Sequence, residues 1–154
     1  MTDHTSDERM IEVEVSGATA RLELLHRTAP KASTALWDTL PIRGMMTHAR
    51  WAGSACWTKV SEAPLADVSG LESQATSIYR GTLAVRSAHG RAELFLSYGQ
   101  AESRHEQGRT YVTPVARVVG DAGALFDALA ATWKDGSASV EIRRGDSGQE
   151  GSAA

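Results

Sequence analysis

ATARLELLHRTAPKASTALWDTLP, residues 18–41, reads as an alternating strand, a Pro-Lys junction and a short amphipathic helix closed by a second proline. Ala18, Ala20, Leu22 and Leu24 share one face of a period-two ribbon, and Thr19, Arg21 and Glu23 share the other, the pattern of a half-buried strand. Pro30 has a ring-fixed φ and no N–H, which suits the first turn of a helix. Ala32, Leu36 and Leu40 then recur at helical spacing with Ala35 and Thr39 beside them, and Pro41 ends the run.

Before this stretch, MIEVEV (residues 10–15) alternates Ile11, Val13 and Val15 with Glu12 and Glu14. Ser16-Gly17 supplies the tight turn that pairs this strand with the next, because glycine tolerates positive φ. After it, MMTHARWA (residues 45–52) reads as a strand with Met45, Thr47, Ala49 and Trp51 on one face and Met46, His48 and Arg50 on the other. Gly53 breaks it, and ACWTKV resumes, with Cys56, Thr58 and Val60 opposed to Trp57 and Lys59. Residues 61–80 lose all period and are expected to form a covering segment over a barrel rim. Strands at 81–85 and 92–98 follow, joined through Ala88-His89-Gly90, and then a polar loop over 99–113. Val115, Arg117 and Val119 mark a last clear strand before Asp121, a good N-cap. Leu125, Ala128, Leu129 and Trp133 form one apolar helical stripe, expected to stopper one open end, and Val140 with Ile142 returns as a final strand.

The predicted fold is mostly β: a small closed or nearly closed barrel of about eight strands capped by two helices. One domain spans residues 10–144, and the polar, small-residue ends at 1–9 and 145–154 are expected to be disordered.

The opening stretch resembles the start of the cyclophilins, where a strand of the type "xLELxxxxAPKTxxxFxxL" leads into the first helix; Leu22, Glu23, Leu24, Leu25, Ala29, Pro30, Lys31, Ala32 and Leu36 carry the match. VARVVGDAGALFDAL, residues 115–129, resembles the cyclophilin strand that runs into the second helix. With HARWAG at 48–53, the chain is most similar to bacterial cyclophilin-like proteins, a group largely without assigned activity. The resemblance implies a cyclophilin-like barrel over residues 10–144. It departs from the prolyl isomerases at Thr47-His48-Ala49-Arg50, where they carry a contiguous "FHR", and no "QGG" turn is present. One residue's displacement on a strand reverses the face, so the isomerase arginine does not carry over to Arg50.

The formal charge of −3 and the lack of a Lys/Arg run argue against nucleic acid as a partner. No apolar stretch is long enough to span a membrane and no export signal opens the chain, so a cytoplasmic protein without a membrane partner is expected. A barrel with an exposed strand edge is compatible with a homodimer and with a monomer. The five histidines show no close pairing and the one cysteine, Cys56, has no CxxC partner, so neither a metal nor another cofactor is expected. Cys56, between Ala55 and Trp57, reads as inert core.

His48 and Arg50, two apart on the expected strand and beside Trp51 and Trp57, form the first candidate site. Arginine offers a fork to a carboxylate, a histidine near neutrality moves a proton, and tryptophans wall a pocket. The competing reading is the solvated face of an edge strand. Tyr98, with Glu102, His105 and Arg109 in the polar loop, forms the second, in which the phenol serves as a proton donor or anchors the loop. Tyr79 and Arg80 are candidates for a lid. Together they suggest an acid–base catalyst, with His48, Arg50 and Tyr98 catalytic and Trp51, Trp57, Tyr79, His105 and Arg109 binding substrate. Its ligand is a small polar metabolite with a carboxylate, cyclic amide or carbonyl, and the reaction a metal-independent hydrolysis or isomerisation. The alternatives are a non-catalytic small-molecule binder or accessory protein, and a peptide binder with residual prolyl isomerase character.

Overall fold

The computed structural model describes residues 9–88, 90–105 and 108–145, with only the backbone of Ala88 and His105. β1 (Met10–Val15) and β2 (Ala18–Leu24) form the expected hairpin, Val15 facing Ala18 across Ser16 (φ 50°) and Gly17 (φ 84°). Two successive positive φ values give the turn the twist of the strands it joins. α1 (Pro30–Thr39) begins on its proline, and β3 (Ile42–His48) leaves it directly. β4 (Gly53–Val60) follows, then a long excursion holding one 3-10 turn, Leu65–Asp67, and the short β5 (Ser77–Ile78). β6 (Thr82–Ala88) and the twelve-residue β7 (Arg91–Glu102) form a further hairpin. β8 (Arg104–His105) pairs with β9 (Gly108–Arg109), and β10 (Thr113–Val119), α2 (Gly123–Asp135) and β11 (Ser137–Arg144) complete the described chain.

Eight antiparallel strands close into a barrel in the order β4-β3-β11-β1-β2-β10-β6-β7, with β7 returning to β4, and β5 adds a ninth strand against β7. The expected small mostly-β barrel with two helices is therefore the observed fold. Its registers assign the helices to opposite ends. The Ser16-Gly17 turn, the start of β11 at Ser137 and the end of β3 at His48 lie together with α2. The ends of β2 and β4 and the start of β3 lie at the other end, with α1 and the 3-10 turn.

Inside are Ile11, Leu22, Leu36, Leu83, Leu94, Leu96, Leu125, Leu129 and Ile142, all fully buried. Each such side chain contributes ~1.5–3 kcal/mol by leaving water. A second cluster of Ala55, Ile78, Ala84, Phe95, Ala101 and Val112 lies against the outer side of the wall. The excursion is thus a second layer, bridged at Ala75 to Val112. It also reaches into the first layer through Leu65, and its Glu72 carboxylate accepts the backbone N–H groups of Lys31 (3.0 Å) and Ala32 (2.9 Å) at the start of α1. Ala29, at the N-cap, makes no side-chain capping hydrogen bond, so Glu72 supplies from a distant segment what a local Ser or Asp usually supplies.

Three boundaries differ from the sequence reading. β3 ends at His48, because Ala49 N–H turns to the carbonyl of Ala55 and Ala52 N–H to that of Ala49, so Arg50 lies in a turn. The 99–113 stretch is largely paired backbone, in β7, β8 and β9. Trp133 does not join the buried stripe of α2; it is 54% exposed, and Thr132 takes the inward position. No helix among the described residues is long and apolar enough to cross a membrane.

Candidate functional site

Pairing of β4 with β7 slips at one point: Ala55 faces Ser97, yet Gly53 faces Ala101, so Ser54 alone spans Tyr98, Gly99 and Gln100. Such a bulge bends a strand and re-aims its side chains. Glycines make it fit. A Cβ on Gly99 would stand 2.9 Å from Ser54 Cβ, and one on Gly53, whose φ is +118°, would stand 2.9 Å from the Gln100 carbonyl oxygen. The bulge leaves the Tyr98 hydroxyl 2.7 Å from His48 Nε2.

His48 is the last residue of β3, directly opposite Cys56 on β4, and only 4% exposed. Its ring makes T-shaped contacts with Trp133 (centroids 4.9 Å, 81°) and Tyr98 (5.7 Å, 63°). Nδ1 is buried and has no hydrogen-bond partner among the described residues. Behind it, Cys56 Sγ lies 3.1 Å from Thr132 Oγ1, which donates to the Leu129 carbonyl at 2.6 Å. Above it, the Arg50 guanidinium donates to the Trp133 carbonyl and lies 5.0 Å over the Trp133 ring.

Burial, and secondarily the charge of Arg50, lowers the His48 pKa below its usual 6.5. Burial raises that of Tyr98, with Cys56 adding to the rise and a hydrogen bond from Ser54 opposing it. Burial likewise raises the Cys56 thiol, opposed by its bond to Thr132. At neutral pH the site therefore holds a neutral imidazole, a protonated phenol and a protonated thiol, next to the permanent charge of Arg50. If the phenol donates to Nε2, Nδ1–H is an unspent donor; if Nε2–H donates to the phenol, Nδ1 is an unspent base. Either tautomer leaves one imidazole nitrogen free to meet an acceptor or a proton.

Of the residues singled out in the sequence, His48 and Tyr98 meet directly and Arg50 joins them through Trp133. Trp51 and Trp57 meet each other (6.4 Å) but do not wall this site, since Trp57 alternates with Cys56 and so faces the outer layer. Tyr79 is 60% exposed, and Arg80 lies 4.4 Å over the Phe126 ring. Arg109 pairs with Glu102 at 3.2 Å, and the same carboxylate holds Arg104. His105 is in β8, and its side chain lies outside the described residues. Trp133, Thr132, Ser54 and Cys56 were not anticipated as site residues. Only the alternation of Ser54 and Cys56 along β4, and the end of the α2 stripe, carry any trace of this in the sequence. Grooves of 460 Å³ at Arg21 and Asp121 and of 280 Å³ at Arg43 and Glu141 lie elsewhere on the barrel and include none of these residues.

A family described as "Protein of unknown function (DUF3830)" matches residues 11–143. No curated protein matches the chain. Among solved structures, one titled "Structure of McbB in complex with tryptophan" is similar at a TM-score of 0.72 and 24% identity, over 88% of this chain and 45% of that one. This chain thus spans less than half of that neighbour's length. The hypothetical protein AF2241 from Archaeoglobus fulgidus is similar at a TM-score of 0.58 and 18% identity, over 90% of this chain and 96% of that one. At these identities the likeness is one of fold.

Proposed function

This chain belongs to the DUF3830 family, and we propose that its barrel binds a small polar metabolite, bearing a carboxylate, cyclic amide or carbonyl, beside His48, Tyr98 and Arg50. One observation carries the reading: a buried imidazole whose Nε2 is tied to a tyrosine hydroxyl while Nδ1 has no partner among the described residues. Leaving a buried polar group unmatched costs about 1–3 kcal/mol, a cost that a ligand removes by supplying the partner. With the phenol and imidazole both neutral and joined, the pair is equipped to take a proton from the ligand and return it, as hydrolysis or isomerisation requires. The neighbour solved with tryptophan adds an amino acid to the classes worth testing.

Binding without turnover is the second reading, favoured by the depth of His48. The cyclophilin likeness belongs to the same proposal, supported by the Pro30 junction between β2 and α1, and it brings proline peptides into the screen. The test is a thermal-shift screen of the wild type, Arg50→Ala and His48→Ala against small carboxylates, lactams, cyclic imides, amino acids and proline peptides. A ligand at a hundredfold its Kd adds about 2.7 kcal/mol, a shift of several degrees. The expected result is one class that stabilises the wild type and loses its effect in Arg50→Ala. A panel without a hit, or equal shifts in all three proteins, overturns the reading.

A further inference from the structure

We propose that the ligand is a carboxylate and that it enters by drawing the Arg50 guanidinium off the Trp133 carbonyl, which frees the Trp133 ring from above His48. This rests on the small-molecule reading above and narrows its ligand class.

Three observations lead there. Cys56, opposite His48 in the register of β3 and β4, and Thr132 and Leu129, bonded to its thiol, are all buried core. Trp133 is the exposed member of the surround, at 54%, in the last turn of α2 before Gly136. Tyr98 and Ser54, on the other side of the imidazole, are only half-buried, but Trp133 is the most open of its neighbours, so the proposed approach is the one past this ring. Second, Arg50 holds the ring where it meets solvent: the guanidinium lies over its face and donates to the carbonyl of the same residue. Third, Arg50 is exposed and has no carboxylate partner among the described residues, whereas Arg86, Arg91, Arg104, Arg109 and Arg143 all have glutamates.

A carbonyl and a ring face are weak partners for a guanidinium compared with the two parallel N–H···O bonds of a carboxylate. A carboxylate arriving at the turn thus outcompetes them, and a neutral amide or ketone does not. The same step exposes Nδ1 to the rest of the ligand. The neutral state of the imidazole keeps Arg50 as the positive charge at this entrance.

The cover and the ligand class are tested separately. Modification by diethyl pyrocarbonate, resolved at His48 by peptide mapping, reads access to the imidazole without any ligand. Slow modification is expected in the wild type, with about a tenfold rise in Arg50→Ala and in Trp133→Ala, and the double variant no faster than Trp133→Ala. Because Arg50 is an exposed turn residue, its substitution leaves the fold intact, and an unchanged rate in Arg50→Ala overturns the latch. For the ligand class, acetate, benzoate and tryptophan are compared with acetamide, benzamide and tryptophanamide by thermal shift, and acetate with acetamide also by acrylamide quenching of Trp133 in a variant whose other tryptophans are phenylalanine. A carboxylate that stabilises the protein and increases quenching, beside a silent amide, supports the proposal. Equal stabilisation by acid and amide overturns the carboxylate while leaving small-molecule binding intact. Failure of all the acids together with every other ligand class overturns both.

Discussion

His48 and Cys56 face each other across β3 and β4, and this pair with Thr47 and Trp57 makes up the whole register between the two strands. On its other side β3 is matched to β11 from Ile42 to Thr47. The barrel is therefore stitched least where its titratable groups are buried. Local opening follows the density of such contacts. Hydrogen exchange should be faster for the amides joining β3 to β4 than for those joining β1 to β2, measured under native conditions. The Cys56 thiol, fully buried and pushed up in pKa, should react with iodoacetamide at neutral pH only at the rate of that opening, since the thiolate is the nucleophile. Labelling as fast as a free thiol contradicts this.

The pH dependence of stability carries the sign of His48. Its folded pKa lies below the unfolded value of 6.5, so below about pH 6.5 the unfolded chain binds a proton that the native imidazole refuses. The contribution is intact above that pH and is lost as pH falls from there towards the folded pKa. The melting temperature of the wild type should drop more steeply between pH 7.5 and 5.5 than that of His48→Gln. Parallel curves rule out the shift.

Two glycines hold the bulge that aims Tyr98. Gly99→Ala and Gly53→Ala each force a methyl to within 2.9 Å of a neighbour, Gly53→Ala at a positive φ as well. A loss of roughly 2–4 kcal/mol is expected for each, the range of overpacking plus backbone strain. Gly17→Ala, also at positive φ but with open space around it, should lose only about 1–2 kcal/mol. Urea midpoints compare the three, and an equal cost at Gly17 and Gly53 removes the steric claim.

Glu72 is the distant cap of α1. Glu72→Ala should cost about 1–2 kcal/mol, and Glu72→Gln less, because the amide oxygen still accepts one N–H. Differential scanning calorimetry reads both; if neither lowers the midpoint, solvent caps the helix as well as the carboxylate does.

The barrel was legible because local periodicity carries it: β1, β2, β10 and both helices are amphipathic in a way that a window of a few residues displays. The site was half legible. A strand pattern continued through Ala49 and Arg50 predicts them in line with His48, and only the backbone bond from Ala49 to Ala55 shows the chain turning there. Tyr98 and His48 lie fifty residues apart, and their meeting depends on closure of β4 onto β7 and on a bulge that no local pattern announces. Trp57 was misread as a wall of the site because alternation tells which residues share a face, without telling that the outer face of β4 is also covered. Glu72 was invisible for a related reason: its partners are backbone groups, which have no residue type to match.

The outer layer over β7 changes how this sequence is free to vary. Phe95 points away from the barrel interior yet is buried against Ile78 and Val112, while its neighbours Leu94 and Leu96 fill the inside. A stretch of β7 therefore answers to two sets of neighbours at once, one in the strands and one in a segment with little regular structure. Drift in the 75–79 or 110–112 stretches is tied to compensating drift at Phe95 and Ala84, so across relatives these positions should change together, and the irregular excursion should be inherited as faithfully as the wall it covers.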